Sequence, residues 1–386
     1  MRPSMALLFG ALVALSSSSM TPAQEMEIAE PYKVGTFEAG GERFVGLVLR
    51  DEVIVEIPAA NAALEEADSA NPAMPMPDNM IALIEGYESG LRERFYAIVN
   101  HMAENDLIAG MNRPAYVHDV ADVDTLAPIV DPYPGKILNA AVNFYSHVDE
   151  SGTEAERAEA MRQRRENRGV PYLFLKPARG AVVGQGDEIV IPYGRNETDW
   201  EVELGAVIGR EAKYVSANGA QDYVFGYVVS VDVSDRGGRP PGGFGSGSDW
   251  LVGKGHDTFA PMGPWIVPKE FYGDPMENLH QMLSINGEMV QSARAGDMIH
   301  SLWELIEYGS SIITLYPGDV LNNGTSGGTA AGAVEERGES GYLQPGEVIE
   351  ASIEGIGTLR LPAVAGEQPQ GLTGAQLPPV DSYEDR

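Results

Sequence analysis

Asp199-Trp200-Glu201-Val202-Glu203-Leu204-Gly205-Ala206-Val207-Ile208-Gly209 places two carboxylates two residues apart inside a run that otherwise reads as buried strand. Side chains at i and i+2 share one face of a strand, so Glu201 and Glu203 point together while Val202 and Leu204 pack on the other side. Two like charges in a desolvated place repel, and each costs free energy to bury. A cation between them removes both penalties. A second apolar run, Tyr223 to Val231, ends in Asp232 and supplies a third oxygen ligand. Three carboxylates suit a hard divalent ion, Mg²⁺ or Mn²⁺, with Ca²⁺ also admitted. The same Glu-x-Glu spacing also fits the solvated face of a half-exposed sheet.

Working outward, the 386-residue chain has 43% hydrophobic and 22% charged residues, ordinary for a globular protein with one large or two modest domains. Its 57 acidic residues against 26 basic ones give a net charge of −31. That balance argues against a nucleic-acid partner or an anionic membrane surface, which need positive charge. It does not exclude an anionic small molecule, because exposed charges are screened within about 10 Å. With no cysteine there is no disulfide, thiolate nucleophile or Cys-type zinc site. Arg2, the apolar Ala6 to Leu15, a serine run and Thr21-Pro22-Ala23 have the three-part form of a secretory signal over residues 1–23. The apolar core is too short to span a bilayer. The expectation is an exported, periplasmic protein with no membrane span, or a cytoplasmic one if the leader does not function.

Alternating segments near 33–57 followed by helical periodicity near 80–99 predict a small α+β N-terminal domain over residues 24–130. Pro128, Pro132 and Pro134 stiffen the boundary. A β-rich region follows over residues 134–365, and a Pro-, Gln- and Gly-rich tail over 366–386 reads as disordered. After the strand-like Ile137 to Val142, His147 and Glu150 stand three apart. On one helical turn that pairs an imidazole base with a carboxylate that orients it, although exposed helix pairs share this spacing. The segment from Thr153 to Arg168 is a charged helical stretch with little to bury.

Asn143-Phe144-Tyr145 before His-x-x-Glu, then Gly253-Lys254-Gly255-His256-Asp257, Pro261-Met262-Gly263-Pro264, Asn286-Gly287-Glu288, Pro317-Gly318-Asp319 and Gly324-Thr325 follow one another in a fixed order. In that order the chain resembles the fumarylacetoacetate hydrolase family over about residues 134–365. The resemblance implies an α+β, β-dominated fold with a rolled or closed β-sheet catalytic domain, and a homodimer. It further implies that His147 and Glu150 activate water, that Lys254 stabilises an enolate, that Tyr145 and Thr325 contact substrate, and that the charged segment after the dyad closes as a lid. The chain departs from the family pattern after Asp232, where Val233-Ser234-Asp235-Arg236-Gly237-Gly238-Arg239 keeps Arg236 but carries Gly237 and Arg239 in place of Asp and Gln. Asn323 and Ser326 also depart. Arg236 can grip a substrate carboxylate in a bidentate fork, with Arg239 as a second contact; a plain flexible loop is the other reading of this Gly-rich stretch.

The expected activity is cation-dependent hydrolysis of a carbon–carbon bond in a 1,3-dicarbonyl acid of the acylpyruvate or fumarylacetoacetate type. Two alternatives remain at this point: tautomerisation or decarboxylation of a related keto acid, and an exported ligand-binding protein without turnover.

Overall fold

The computed structural model describes residues 27–110, 112–148, 150, 153–238, 249–332, 341–368 and 370. The leader at 1–23, Arg239 with the loop through Gly247, and nearly all of the tail lie outside the described residues. The chain opens with β1 (Tyr32–Ala39), β2 (Glu42–Leu49) and β3 (Val53–Glu56), then helices α1 (Ile57–Ala67), α2 (Met80–Gly86) and α3 (Arg92–Glu104). β4 (Val117–Asp119), β5 (Asp124–Thr125) and β6 (Ile137–Ala140) lead to α4 (Glu154–Glu166). There follow β7 (Leu173–Lys176), β8 (Ile189–Ile191), β9 (Thr198–Asp199), β10 (Val202–Ile208), β11 (Val224–Val231) and β12 (Ser234–Asp235). After α5 (Trp250–Lys254) come β13 (Met262–Pro268), the short α6 (Lys269–Tyr272) and α7 (Pro275–Asn278), β14 (His280–Ile285) and β15 (Glu288–Arg294). α8 (Leu302–Ile312), β16 (Val320–Asn322), β17 (Val348–Ile353) and β18 (Gly357–Ala365) complete the fold.

The main sheet runs β4-β3-β2-β1-β13-β11-β10-β16-β6-β7, with β5 paired to β1. It is an open, rolled path with two ends, so of the rolled and closed forms expected, the rolled one is present. The N-terminal strands continue this sheet through the pairing of Val34 with Ile266. A second sheet, β15-β14-β17-β18-β8, packs against it, and β9 pairs with β12.

Burial explains which strands read as continuous apolar runs and which alternate. β10 and β11 are buried at every residue, because layers cover both of their faces. β14 and β17 alternate buried and half-exposed residues, as strands with one wet face do. α8 buries Leu302, Leu305, Ile306 and Gly309 at three- and four-residue spacing, and a Ser301–Glu304 capping box starts it. α4 has a Thr153–Glu156 capping box yet buries none of its residues. The sheet roll therefore presents the start of β10, the end of β11 and the loop after β6 to one cavity.

Candidate active site

β10 and β11 are antiparallel neighbours with Val202 opposite Val231. That register puts Glu201, just before β10, level with Asp232, just after β11, and Asp232 N–H donates to Glu201 O at 2.8 Å. Glu201, Glu203 and Asp232 each offer a carboxylate oxygen within 4.8 Å of the others, and all three are buried. The solvated-face reading of the Glu-x-Glu spacing does not describe this chain.

Basic groups surround the three acids. Lys254 Nζ, from the end of α5, donates to Glu201 Oε2 at 2.8 Å, Asp232 Oδ2 at 2.6 Å and Ser234 Oγ at 2.6 Å. Lys176, at the end of β7, is bonded to Asp232 and to Val233 O. Arg236 donates to Asp199 Oδ2 at 2.9 Å and to Glu201. Burial alone pushes Glu201 up, but Lys254, Arg236 and His147 together hold it down at about 2. Burial, with Asp232 and Glu201 adding repulsion, drives Glu203 well above the carboxylate range. Glu203 Oε2 accepts weakly from Asn139 Nδ2 and Gly324 N at 3.3 and 3.2 Å, and its Oε1 has no hydrogen-bond partner.

These observations test the fit of a divalent cation. Four buried carboxylates, those of Asp199, Glu201, Glu203 and Asp232, face three fixed cations, those of Lys176, Lys254 and Arg236. Glu203 is the acid with no cationic partner among the described residues, so burial keeps its proton on when no ion is bound, and the orphaned oxygen is also its own. A hard cation held by oxygen ligands supplies both the missing charge and the missing partner. The residues fit such an ion.

His147 ends a single 3₁₀ turn, Tyr145–His147, so Glu150 lies beyond that turn and not on it as the spacing implied, and His147 Nδ1 is bonded to Glu150. Burial lowers the imidazole pKa, but the Glu150 bond and the charges of Glu201 and Glu150 outweigh it, so the net direction is up. Glu150 Oε2 also accepts from Gly328 N at 3.0 Å, which fixes the carboxylate from its far side. His147, Glu201, Asp232, Arg236, Lys254 and Thr325 line one small cavity of about 60 Å³. Tyr145 is buried, with the Arg165 guanidinium 4.0 Å above its ring. Thr325 Oγ1 donates to Val202 O at 3.0 Å and accepts from Gln291 Nε2 at 2.9 Å, tying its loop to the backbone between the two glutamates. Asn323 accepts from Leu204 N at 2.8 Å and donates to Gln281 at 3.0 Å, so this departure from the family pattern fills a buried hydrogen-bonding role.

Sequence reasoning passed over Asp199. It is fully buried, accepts from Ala330 N at 2.6 Å and anchors Arg236. The signal was available, since Asp199 is a third carboxylate in the same buried run. Lys176, at the end of β7, is also drawn into the cluster by Asp232.

The fumarylacetoacetate (FAA) hydrolase C-terminal family model matches residues 136–364. A 2,4-didehydro-3-deoxy-L-rhamnonate hydrolase of Sphingomonas sp. (strain SKA58) is 37% identical over 249 residues, 62% of this chain and 80% of that protein. A mitochondrial oxaloacetate tautomerase of Bos taurus is 35% identical over 242 residues, 62% of this chain and 69% of that protein. The crystal structure of maleylpyruvate hydrolase from Sphingobium sp. SYK-6 in complex with manganese(II) and pyruvate superposes with a TM-score of 0.61 at 28% identity. That match covers 87% of this chain and 100% of the other.

Proposed function

Because the chain belongs to the fumarylacetoacetate hydrolase family, we propose that it is a cation-dependent hydrolase that cleaves a carbon–carbon bond in an acylpyruvate-type 1,3-dicarbonyl acid. One observation carries this reading: His147, bonded to Glu150, lines the same cavity as Glu201 and Asp232 of the three-carboxylate cluster. Glu201, Glu203 and Asp232 would hold Mg²⁺ or Mn²⁺. Such an ion, when bound, supplies Lewis-acid polarisation of substrate oxygens and offsets their negative charge.

The remaining steps belong to the side chains. With Nδ1 engaged by Glu150, His147 uses Nε2 to take a proton from water, and the hydroxide adds to the distal carbonyl carbon. The bond between that carbon and the pyruvate methylene breaks. The electron pair leaves as an enolate, and a proton then restores pyruvate beside the released carboxylic acid. The Lys254 ammonium, desolvated and held by three acceptors, faces the developing negative charge. Arg236 and Thr325 line the same cavity, and Arg236 would turn from Glu201 to the substrate carboxylate where Glu201 holds a cation. The test is loss of enol absorbance over a panel of acylpyruvates with Mg²⁺ or Mn²⁺, with EDTA, and with His147→Ala, the products identified by mass. Pyruvate plus an acid, abolished by EDTA and by the variant, is the expected outcome.

A second reading, tautomerisation or decarboxylation of a keto acid, draws on the likeness to the oxaloacetate tautomerase, and tautomer or CO₂ products would select it. We also propose export of the mature chain and assembly as a homodimer. N-terminal sequencing of secreted protein and light scattering test these two points.

A further inference from the structure

The cavity lining has two unlike parts. One carries the charged groups described above. The other is formed by Ala141, Val142, Phe174 and Trp250, contributed by the loop after β6, by β7 and by α5. The Phe174 and Trp250 rings lie 4.6 Å apart with 31° between their planes. Tyr172 buttresses Trp250 edge-on at 5.5 Å. Lys254 Nζ lies 5.2 Å from the Phe174 ring centre, so this aromatic surface begins where the charged cluster ends.

Val142 adds an independent sign that the wall is built for a purpose. Its φ is 49°, a left-handed conformation that a β-branched residue adopts only under strain. Strain of this kind persists where the surrounding structure enforces it, and it gathers at ligand sites. Here it presents an apolar side chain, 44% exposed, at the cavity edge.

We propose that this wall receives the acyl group of the substrate and selects flat, apolar acyl groups, aryl or conjugated, over acyl chains that end in a carboxylate. The inference rests on the acylpyruvate reading above. Both cations among the described cavity-lining residues, Lys254 and Arg236, are engaged by carboxylates of the charged cluster, and in the reading above Arg236 turns only to the carboxylate at the other end of the substrate. A distal carboxylate against the wall would lose its water without gaining a cationic partner among the described residues. A flat ring instead stacks on Phe174 and Trp250 in the offset or edge-on manner that aromatic pairs favour.

The experiment measures kcat/KM with Mn²⁺ for three 2,4-dioxo acids, bearing a methyl, a phenyl or a carboxylate-terminated acyl group. The phenyl compound should exceed the carboxylate-terminated one by about tenfold or more, as hydrophobic-pocket discrimination allows. Phe174→Leu, Trp250→Ala and Val142→Gly should each lower the phenyl-to-methyl ratio. Val142→Gly also relieves the backbone strain, so a retained Tm with a lowered ratio separates recognition from misfolding. Preference for the carboxylate-terminated acid, or ratios unchanged in all three variants, overturns the proposal. Should none of the three acids be hydrolysed, the functional reading fails separately. Calorimetric binding of the phenyl and carboxylate-terminated acids to the Mn²⁺-loaded protein then decides the wall, with tighter binding of the latter overturning it.

Discussion

The carboxylates around β10 and those along α4 are the same chemical groups in opposite surroundings. On α4, Glu159 meets Arg162 at 2.6 Å, and both side chains are about half exposed. Around β10, Glu201 meets Lys254 at 2.8 Å with both nearly closed off from water. The distances are similar, and the consequences are not. Water and salt screen the helix pair, and its side chains give up conformational freedom to hold one geometry. In the cluster each charge depends on its neighbours, so an uncompensated oxygen such as Glu203 Oε1 carries a penalty that a ligand can remove. Partnership inside a low-dielectric site, more than contact distance, makes a carboxylate functional.

The largest break in this comparison comes from removing a cluster acid. Asp232→Ala or Glu203→Ala should lower kcat/KM by about a thousandfold or more, since several kcal/mol of charge stabilisation goes with the cation. Mn²⁺ affinity, measured by calorimetry, should fall in parallel. His147→Ala should lower kcat/KM by about 10²- to 10⁴-fold, with Mn²⁺ binding retained; loss of both together would place His147 in the cation site instead.

The pH response sharpens the contrast further. Burial opposes protonation of His147, yet the Glu150 bond and the Glu201 charge raise its pKa above the ordinary imidazole value. A base must be neutral, so kcat/KM should fall as pH drops through that raised value. For stability the sign is reversed. A folded-state pKa above the unfolded one contributes stability below the unfolded value, and that contribution is lost as pH rises through the folded one. Mg²⁺ should shift the His147 NMR titration downward by compensating Glu201, and an unchanged titration would detach the dyad from the cluster. The smallest effect belongs to α4, where hydrogen bonds from Arg162 and then Gln163 hold Glu159 down at about 2 on the exposed surface. Glu159→Gln should leave the melting temperature at physiological salt indistinguishable from the parent protein.

Much of the site was legible because strand geometry is simple. Alternation alone put Glu201 and Glu203 together, and the ordered motifs from Asn143 to Thr325 placed them in a family. The short-range pairing of His147 with Glu150 was also readable, although Glu150 lies beyond the 3₁₀ turn that His147 ends and not on one helical turn with it. Asp199 escaped because a buried carboxylate beside a tryptophan looks like a strand end until Arg236 and Ala330, 37 and 131 residues away, are seen to bond it. The positions of Arg236 and Thr325 likewise depend on partners that no spacing announces.

The sequence by itself determined the apolar and acidic pattern of the central strands, the order of the motifs and the excess of negative charge, since these follow from residue type and local periodicity. Only the tertiary structure decided that Glu203 stays without a cationic partner among the described residues, that Lys254 and Arg236 bond carboxylates of the cluster, and that Val142, Phe174 and Trp250 line the same cavity beside them. Those properties depend on distances between segments far apart in the chain. In a low-dielectric interior such distances set the strength of every charge and the shape of the space a substrate can enter.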